Sequence, residues 1–435
     1  MKIAPYSQPP FAPFLSDPWV NETLSKLSPA QRIAQLLHVP AWSNRDESHL
    51  AYLTDMCGRV GVGGIIFFQG DPLSQARMTN RCQEAAPVPL IISIDAEWGL
   101  AMRLPDTVQY PYAMTLGAAD NEELVYEVGA QIARQCRRLG VHINHAPDAD
   151  INTEAANPVI GFRSFGADKE KVLRLARAYM QGMQDQGVLA VAKHFPGHGD
   201  TKQDSHLTLP QLLHDLGRLR SIEGYPFRGL IEAGIGAVMT AHVQVPALDD
   251  RPLRPATLSK AIITDYLQGE MGFEGLVFTD ALDMKGISAH YGRGVAEREA
   301  LLAGNDVLLF CLDPEAAIRE IQQAVAEGLI SQAEIDRRCR KQLAAKRWLH
   351  LHEYQPVNLE HLVVDLNPPE AASLNRKLAA AAVKVLHQQP DALPLKPGLR
   401  TAVLALYAKD KALPSDSLGH HELTRVNEGN TGELT

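Results

Sequence analysis

The stretch LAVAKHFP, residues 189–196, runs four apolar residues straight into a lysine and a histidine. A strand with one wet face alternates apolar and polar side chains, whereas a strand covered on both faces is apolar without interruption. Leu189 to Ala192 therefore reads as a buried parallel strand, with Lys193 and His194 where it leaves the core. The pattern recurs along the chain. QLLHVP (35–40), GGIIFF (63–68), LIISID (90–95), VHINHAP (141–147), AVMTAHV (237–243), GLVFTDAL (275–282) and DVLLF (306–310) are nearly continuous apolar runs of strand length.

Between these runs lie segments with helical spacing. In NEELVYEVGAQIARQCRRLG (121–140), Leu124, Val125, Val128 and Ile132 share one face, with Asp120 placed to cap the helix and Gly140 to stop it. After Asp168, Val172, Leu175, Tyr179 and Met183 repeat the design. Eight β/α repeats over about residues 30–350 predict an α/β fold, a (β/α)8 TIM-type barrel. The uneven spacing leaves a doubly wound sheet as the alternative. The expected division is a catalytic barrel over 1–350 and a short C-terminal extension over 351–435. The extension shows a helical pattern around 370–388 and one buried strand, LRTAVLALY (399–407), as at the start of a truncated second α/β domain. One strand cannot close a domain. The polar tail DSLGHHELTRVNEGNTGELT (416–435) reads as loosely held.

The composition, 45% hydrophobic and 21% charged over 435 residues, is that of a globular protein. A net charge of -9 without a concentrated basic face argues against nucleic acid as a partner. The basic run KQLAAKR (341–347) reads as a solvated helix face. Cys57, Cys82, Cys136, Cys311 and Cys339 are odd in number and lack CxxC spacing, which favours buried, reduced thiols over disulfides or a thiolate zinc site. No apolar run has the length of a membrane span, so no membrane association is expected. MKIAPYSQPPFAPFLSDPWV (1–20) lacks the apolar core of a secretory leader. A cytoplasmic location is the expectation, and a periplasmic one if a leader preceded this sequence.

Barrel active sites form at the C-terminal ends of the strands. Here LIISID ends in Asp95, VHINHAPDAD carries Asn144, His145 and Asp148, LAVAKHFP carries Lys193 and His194, AVMTAHV carries His242, and GLVFTD ends in Asp280. A single strand-end carboxylate is as readily a helix cap as a functional group. Five such strand ends on one rim point to a polar cleft. Arg103, eight residues after Asp95, and Arg163, in the loop after the fourth strand, add two guanidiniums. Such a rim suits a hydroxyl-rich substrate.

KHFPGHGDTKQDSH (193–206) admits three readings. Its histidines and aspartates are all metal-ligand types, but HxH, HExxH and a second ligand cluster are missing, so no metal is expected. It could instead be a solvated turn in which Gly197 and Gly199 supply positive φ. As an acid/base device, His206 has a suitable intrinsic pKa and Asp204 stands two residues away to orient it. That reading requires the loop to fold over the barrel mouth, which the glycines would permit.

The same stretch closely resembles the signature of glycoside hydrolase family 3, in its β-N-acetylglucosaminidase branch. The resemblance extends over about 25–350 and includes IDAEWGLAMR, GFRSFG and FTDALDM. It implies a retaining mechanism on a (β/α)8 barrel without a cofactor, with Asp280 as nucleophile and His206, partnered by Asp204, as acid/base. Asp95, Arg103, Arg163, Lys193 and His194 match sugar-binding positions. Asp283 is the rival nucleophile and reads as a helix-start residue. The implied substrate is a terminal N-acetylglucosamine on a glycan or muropeptide. A β-glucosidase or glycoside phosphorylase of the same family, and a metal-dependent barrel hydrolase, are the alternatives. One departure from the family pattern is Trp98, where a glycine is usual; it is expected to reshape the pocket and add a stacking surface.

Overall fold

The computed structural model describes residues 8–202 and 209–384, and the backbone of 403–406 and 423–426. Eight parallel strands follow one another around a barrel: β1 (Leu37–Ala41), β2 (Gly64–Phe67), β3 (Ile91–Ile94), β4 (Ile143–Asn144), β5 (Leu189–Phe195), β6 (Ala237–Thr240), β7 (Leu276–Thr279) and β8 (Leu308–Leu309). Each pairs with its sequence neighbour, and β8 pairs with β1. The last seam, between β7 and β8, is the bridge Phe278–Val307, supplemented by the N–H of Leu309 donating to the Thr279 hydroxyl at 2.8 Å. This cyclic order rules out the doubly wound alternative, whose strand order reverses at a switch point.

Every strand residue is buried, as uninterrupted apolar runs require. The amphipathic stripes also pack as read. Val125, Val128 and Ile132 of helix Glu122–Arg138 are buried, as are Val172, Leu175, Tyr179 and Met183 of helix Lys169–Asp185. Asp168 caps the second helix through Lys171 N–H. The cap of the first is Asn121, not Asp120. Asp120 instead closes the preceding short helix Ala113–Ala119 in the left-handed region, at φ 52°. All five cysteines are buried free thiols.

The run 341–347 is not a solvated face. Lys341 and Lys346, on helix Gln332–Trp348, point into the barrel's underside, where Lys341 meets Asp306 at 2.6 Å and Lys346 donates to Gln35 Oε1 at 2.6 Å. A helix packed across the strand N-termini buries one stripe whatever its polarity, and each lysine nitrogen there has a partner; burial brings the pKa of Lys346 down to about 7.

The chain divides into two compact units, Met1–Val383 and Lys384–Thr435. In the first, the chain beyond residue 350 lies against the barrel. Leu351, Leu362, Leu366 and Leu374 are buried, and helix Pro369–Ala382 packs on Ala113–Ala119. In the second, β9 (Val403–Leu406) falls within the strand read at 399–407. The tail read as loose supplies its parallel partner, β10 (Leu423–Val426). LTRV carries β-prone residues in a short run that its polar flanks hid. No helix among the described residues is long and apolar enough to cross a membrane.

Candidate active site at the barrel mouth

Asp95, Arg103, Arg163, Lys193, His194 and Asp280 all line one cavity of about 480 Å³ at the C-terminal ends of the strands. Asp204 and His206 lie outside the described residues.

The sugar-holding candidates form one ionic chain. Asp95, just beyond β3, accepts from Arg103 Nη2 at 2.7 Å and from Lys193 Nζ at 2.9 Å. Lys193 also reaches Glu97 Oε1 at 2.7 Å, and Glu97 receives Arg163 through two N–H groups at 2.7 and 3.0 Å. Burial alone would raise both acids, but the cations outweigh it. Lys193 and Arg103 hold Asp95 well below the usual range, and Arg163 and Lys193 bring Glu97 down to about 2. Lys193 stays charged because the two carboxylates overcome its own burial.

A second layer fixes His194. Its Nδ1 lies 2.7 Å from Asp150 Oδ2, and its Nε2 lies 3.2 Å from Arg163 Nη2. A guanidinium can only donate, so Nε2 accepts and the ring proton sits on Nδ1, toward Asp150. His194 is thereby a fixed polar contact, with no proton on the nitrogen that meets Arg163. Asp150 also accepts the N–H of His198 at 2.6 Å. Burial and then the charge of Asp150 push the neighbouring Asp148 carboxyl well above the ordinary range. The turn at 197–199 is accordingly a fixed anchor where a hinge was expected. Gly197 has the anticipated positive φ of 129°, but Gly199 is required for close approach: a Cβ there would lie 1.9 Å from the Ile151 carbonyl oxygen. Asp200 continues the anchor, accepting from His214 Nε2 and Arg218 Nη2, each at 2.6 Å.

Asp280 follows β7. Its own N–H donates to Thr240 of β6, and its Oδ1 accepts the N–H of Ala281 at 2.8 Å. His242 Nε2 braces this corner by donating to the Ala281 carbonyl at 2.9 Å. Burial opposes ionisation of Asp280, yet His242, the Ala281 N–H and Lys193 together lower its pKa below 3.8. Among the described residues its second oxygen has no hydrogen-bond donor, which leaves it chemically available in the cavity. Asp283 also lines the cavity but is exposed, and the helix beyond it starts at Lys285.

Ligand-type side chains gather in two clusters near the mouth, Asp148/Asp150/His194 and Asp200/His214/Glu223. An arginine already occupies each: Arg163 lies 3.7 Å from Asp148 and 3.2 Å from His194 Nε2, and Arg218 binds Asp200 and Glu223. A divalent cation would have to displace that guanidinium, so the donor sets fit ion pairing better than metal.

The sequence reading named Asp148 on the rim but missed Glu97 and Asp150 as members of the site, although Glu97 stands two residues from Asp95 and Asp150 two from Asp148. It also missed an aromatic rim. Trp42, Phe68 and Phe310, the residues just after β1, β2 and β8, also line the cavity. Trp98 does not line it. Its ring packs on Tyr112 at 4.8 Å and lies 6.2 Å from Phe162, so the substitution for glycine builds an aromatic cluster beside the pocket.

Residues 30–344 match the family model described as the glycosyl hydrolase family 3 N terminal domain. The chain is 32% identical over 389 residues to β-hexosaminidase A of Pseudoalteromonas piscicida, covering 82% of this chain and 65% of that one. A solved glycoside hydrolase family 3 β-N-acetylglucosaminidase from Paenibacillus sp. str. FPU-7 superposes with a TM-score of 0.79 at 34% identity, over 92% of this chain and 79% of that one. A solved β-glucoside phosphorylase gives a TM-score of 0.81 at 26% identity, over 92% and 73%. With its barrel, its strand-end acids and a family match spanning most of its length, the chain belongs to glycoside hydrolase family 3.

Proposed function

We propose that the protein is a retaining β-N-acetylglucosaminidase that removes terminal N-acetylglucosamine from glycans, with peptidoglycan fragments as the natural source. The observation that carries this is Asp280: an ionised carboxylate with one oxygen unengaged, facing a wall of cations and carboxylates suited to sugar hydroxyls. Its oxygen attacks the anomeric carbon as the glycosidic bond breaks, forming a glycosyl-enzyme. His206, oriented by Asp204, gives its proton to the departing oxygen and then takes one from the water that releases the sugar. Asp95, Arg103, Lys193, Arg163 and His194 hold the hydroxyls. The His194 tautomer supports assigning the acid role elsewhere, since the ring nitrogen facing Arg163 carries no proton.

The likeness to a phosphorylase favours one second reading, in which phosphate replaces water. One experiment separates the readings. An aryl β-N-acetylglucosaminide is incubated with and without phosphate and with EDTA, using the wild type and Asp280→Ala. Free sugar of retained anomeric configuration, insensitive to EDTA and reduced at least about a thousandfold in the variant, is expected. Sugar 1-phosphate as the main product would make the protein a phosphorylase, and loss of activity in EDTA would make it a metallohydrolase.

A further inference from the structure

The rim of the barrel is divided by chemistry. Strands β3, β4, β5 and β7 lead into charged side chains, while the contiguous strands β8, β1 and β2 lead into Phe310, Trp42 and Phe68. Three aromatic rings on one side of a sugar pocket suggest a stacking platform, but their geometry argues against one. Arg45 lies over the Trp42 ring at 3.7 Å, and Trp42 stacks on Phe68 at 5.5 Å with 26° between planes. Phe68 in turn lies beneath the Arg103 guanidinium at 4.8 Å. Phe310 closes the side of the column, edge-on to Trp42 at 5.7 Å and to Phe68 at 5.2 Å. The broad faces of Trp42 and Phe68 are thus taken by cations and by each other, and what they support is Arg103.

Arg103 has a feature that such support explains. Its Nη2 bonds Asp95, but its Nε–H is buried without a hydrogen-bond partner among the described residues. A buried orphan donor is costly and persists only where its surroundings hold it in place. An aromatic face beneath the guanidinium fixes its plane without using any of its N–H groups. We infer that Phe68, backed by Trp42, is a positioning residue: it fixes the plane of the Arg103 guanidinium, so that Nη2 meets Asp95 and the side chain is held against the cavity for the bound sugar. This rests on the sugar-holding role proposed for Arg103.

The test is binding of free N-acetylglucosamine to the full chain by calorimetry, alongside KM, kcat and thermal melting. Phe68→Leu keeps the apolar volume and removes the π face; Phe68→Tyr keeps both. Phe68→Leu is expected to weaken sugar binding and raise KM by about tenfold, with kcat within about twofold and the melting midpoint unchanged. Phe68→Tyr should stay within about twofold of wild type in every measure. Wild-type affinity in Phe68→Leu, or equal losses in both variants, would overturn the inference. Arg103→Ala tests the underlying reading separately. If it binds the sugar normally, Arg103 does not hold the substrate; if it fails while Phe68→Leu binds normally, only the role of Phe68 falls.

Discussion

At the scale of single residues, the site works by assigning each carboxyl a different state. Asp95 and Glu97 are ionised by cations, Asp148 is pushed well up by burial and by Asp150, and Asp280 is lowered with no salt bridge among the described residues. This has a pH consequence. Because the pKa of Asp280 is depressed, the reactive carboxylate persists as pH falls and is lost only below 3.8. The acidic limb of kcat/KM is therefore expected below that value, and the alkaline limb in the imidazole range if His206 is the acid. An acidic limb at pH 5 or above, in protein shown to be folded there, would contradict the state assigned to Asp280. Asp150 gives a sharper prediction. It holds His194 through Nδ1 and the turn through the His198 N–H, so Asp150→Asn faces one of these donors with an amide N–H. The expected loss in kcat/KM is about ten- to a hundredfold, most of it in KM. Unchanged kinetics would mean that His194 needs no orienting partner. Of these groups, the strand-end residues were legible because a charge after an apolar run stands out. Asp150 was not, because its partner is forty-four residues away and no periodicity links them.

At the scale of elements, the barrel strands and the two long helices were readable from periodicity alone. What periodicity omits is how closely elements approach. Helices Glu122–Arg138 and Lys169–Asp185 meet through Gly129 and Gly182: a Cβ on Gly129 would lie 2.2 Å from the Tyr179 carbonyl oxygen, and one on Gly182 would lie 2.1 Å from that of Tyr126. Helix propensity alone says that alanine at either position should stabilise by roughly 0.5–1 kcal/mol. Backbone atoms cannot swing aside as a flexible side chain can, so steric repulsion should win. Gly129→Ala and Gly182→Ala are each expected to destabilise the protein by about 1–3 kcal/mol, measured as the shift in denaturant midpoint at constant slope. A gain in stability would show that the helices separate without loss. The misread run at 341–347 has a related cause, since charge alone does not say which face of a helix is covered.

At the scale of the whole molecule, the informative question is where the catalytic unit stops. The eightfold pattern ends near residue 350, and the sequence offered no further β/α repeat to extend it. The structure continues the first compact unit to Val383. Leu362, Leu366, Leu374 and Leu378 are buried there, and helix Pro369–Ala382 rests on Ala113–Ala119, in the connection between β3 and β4. Burying a leucine stabilises by about 1.5–3 kcal/mol, so four of them rival the entire net stability of an ordinary domain, about 5–15 kcal/mol. The described residues lining the cavity all lie between Trp42 and Phe310, so removing this segment should act through stability and not through lost contacts to substrate. A chain ending at residue 383 is therefore expected to melt cooperatively and hydrolyse an aryl β-N-acetylglucosaminide with near-normal kcat. A chain ending at residue 350 should melt far lower, or be recovered only as aggregate, with exposed apolar surface on helices Ala113–Ala119 and Glu122–Arg138. Equal melting midpoints for the two chains would mean that residues 351–383 add no stability to the barrel they cover.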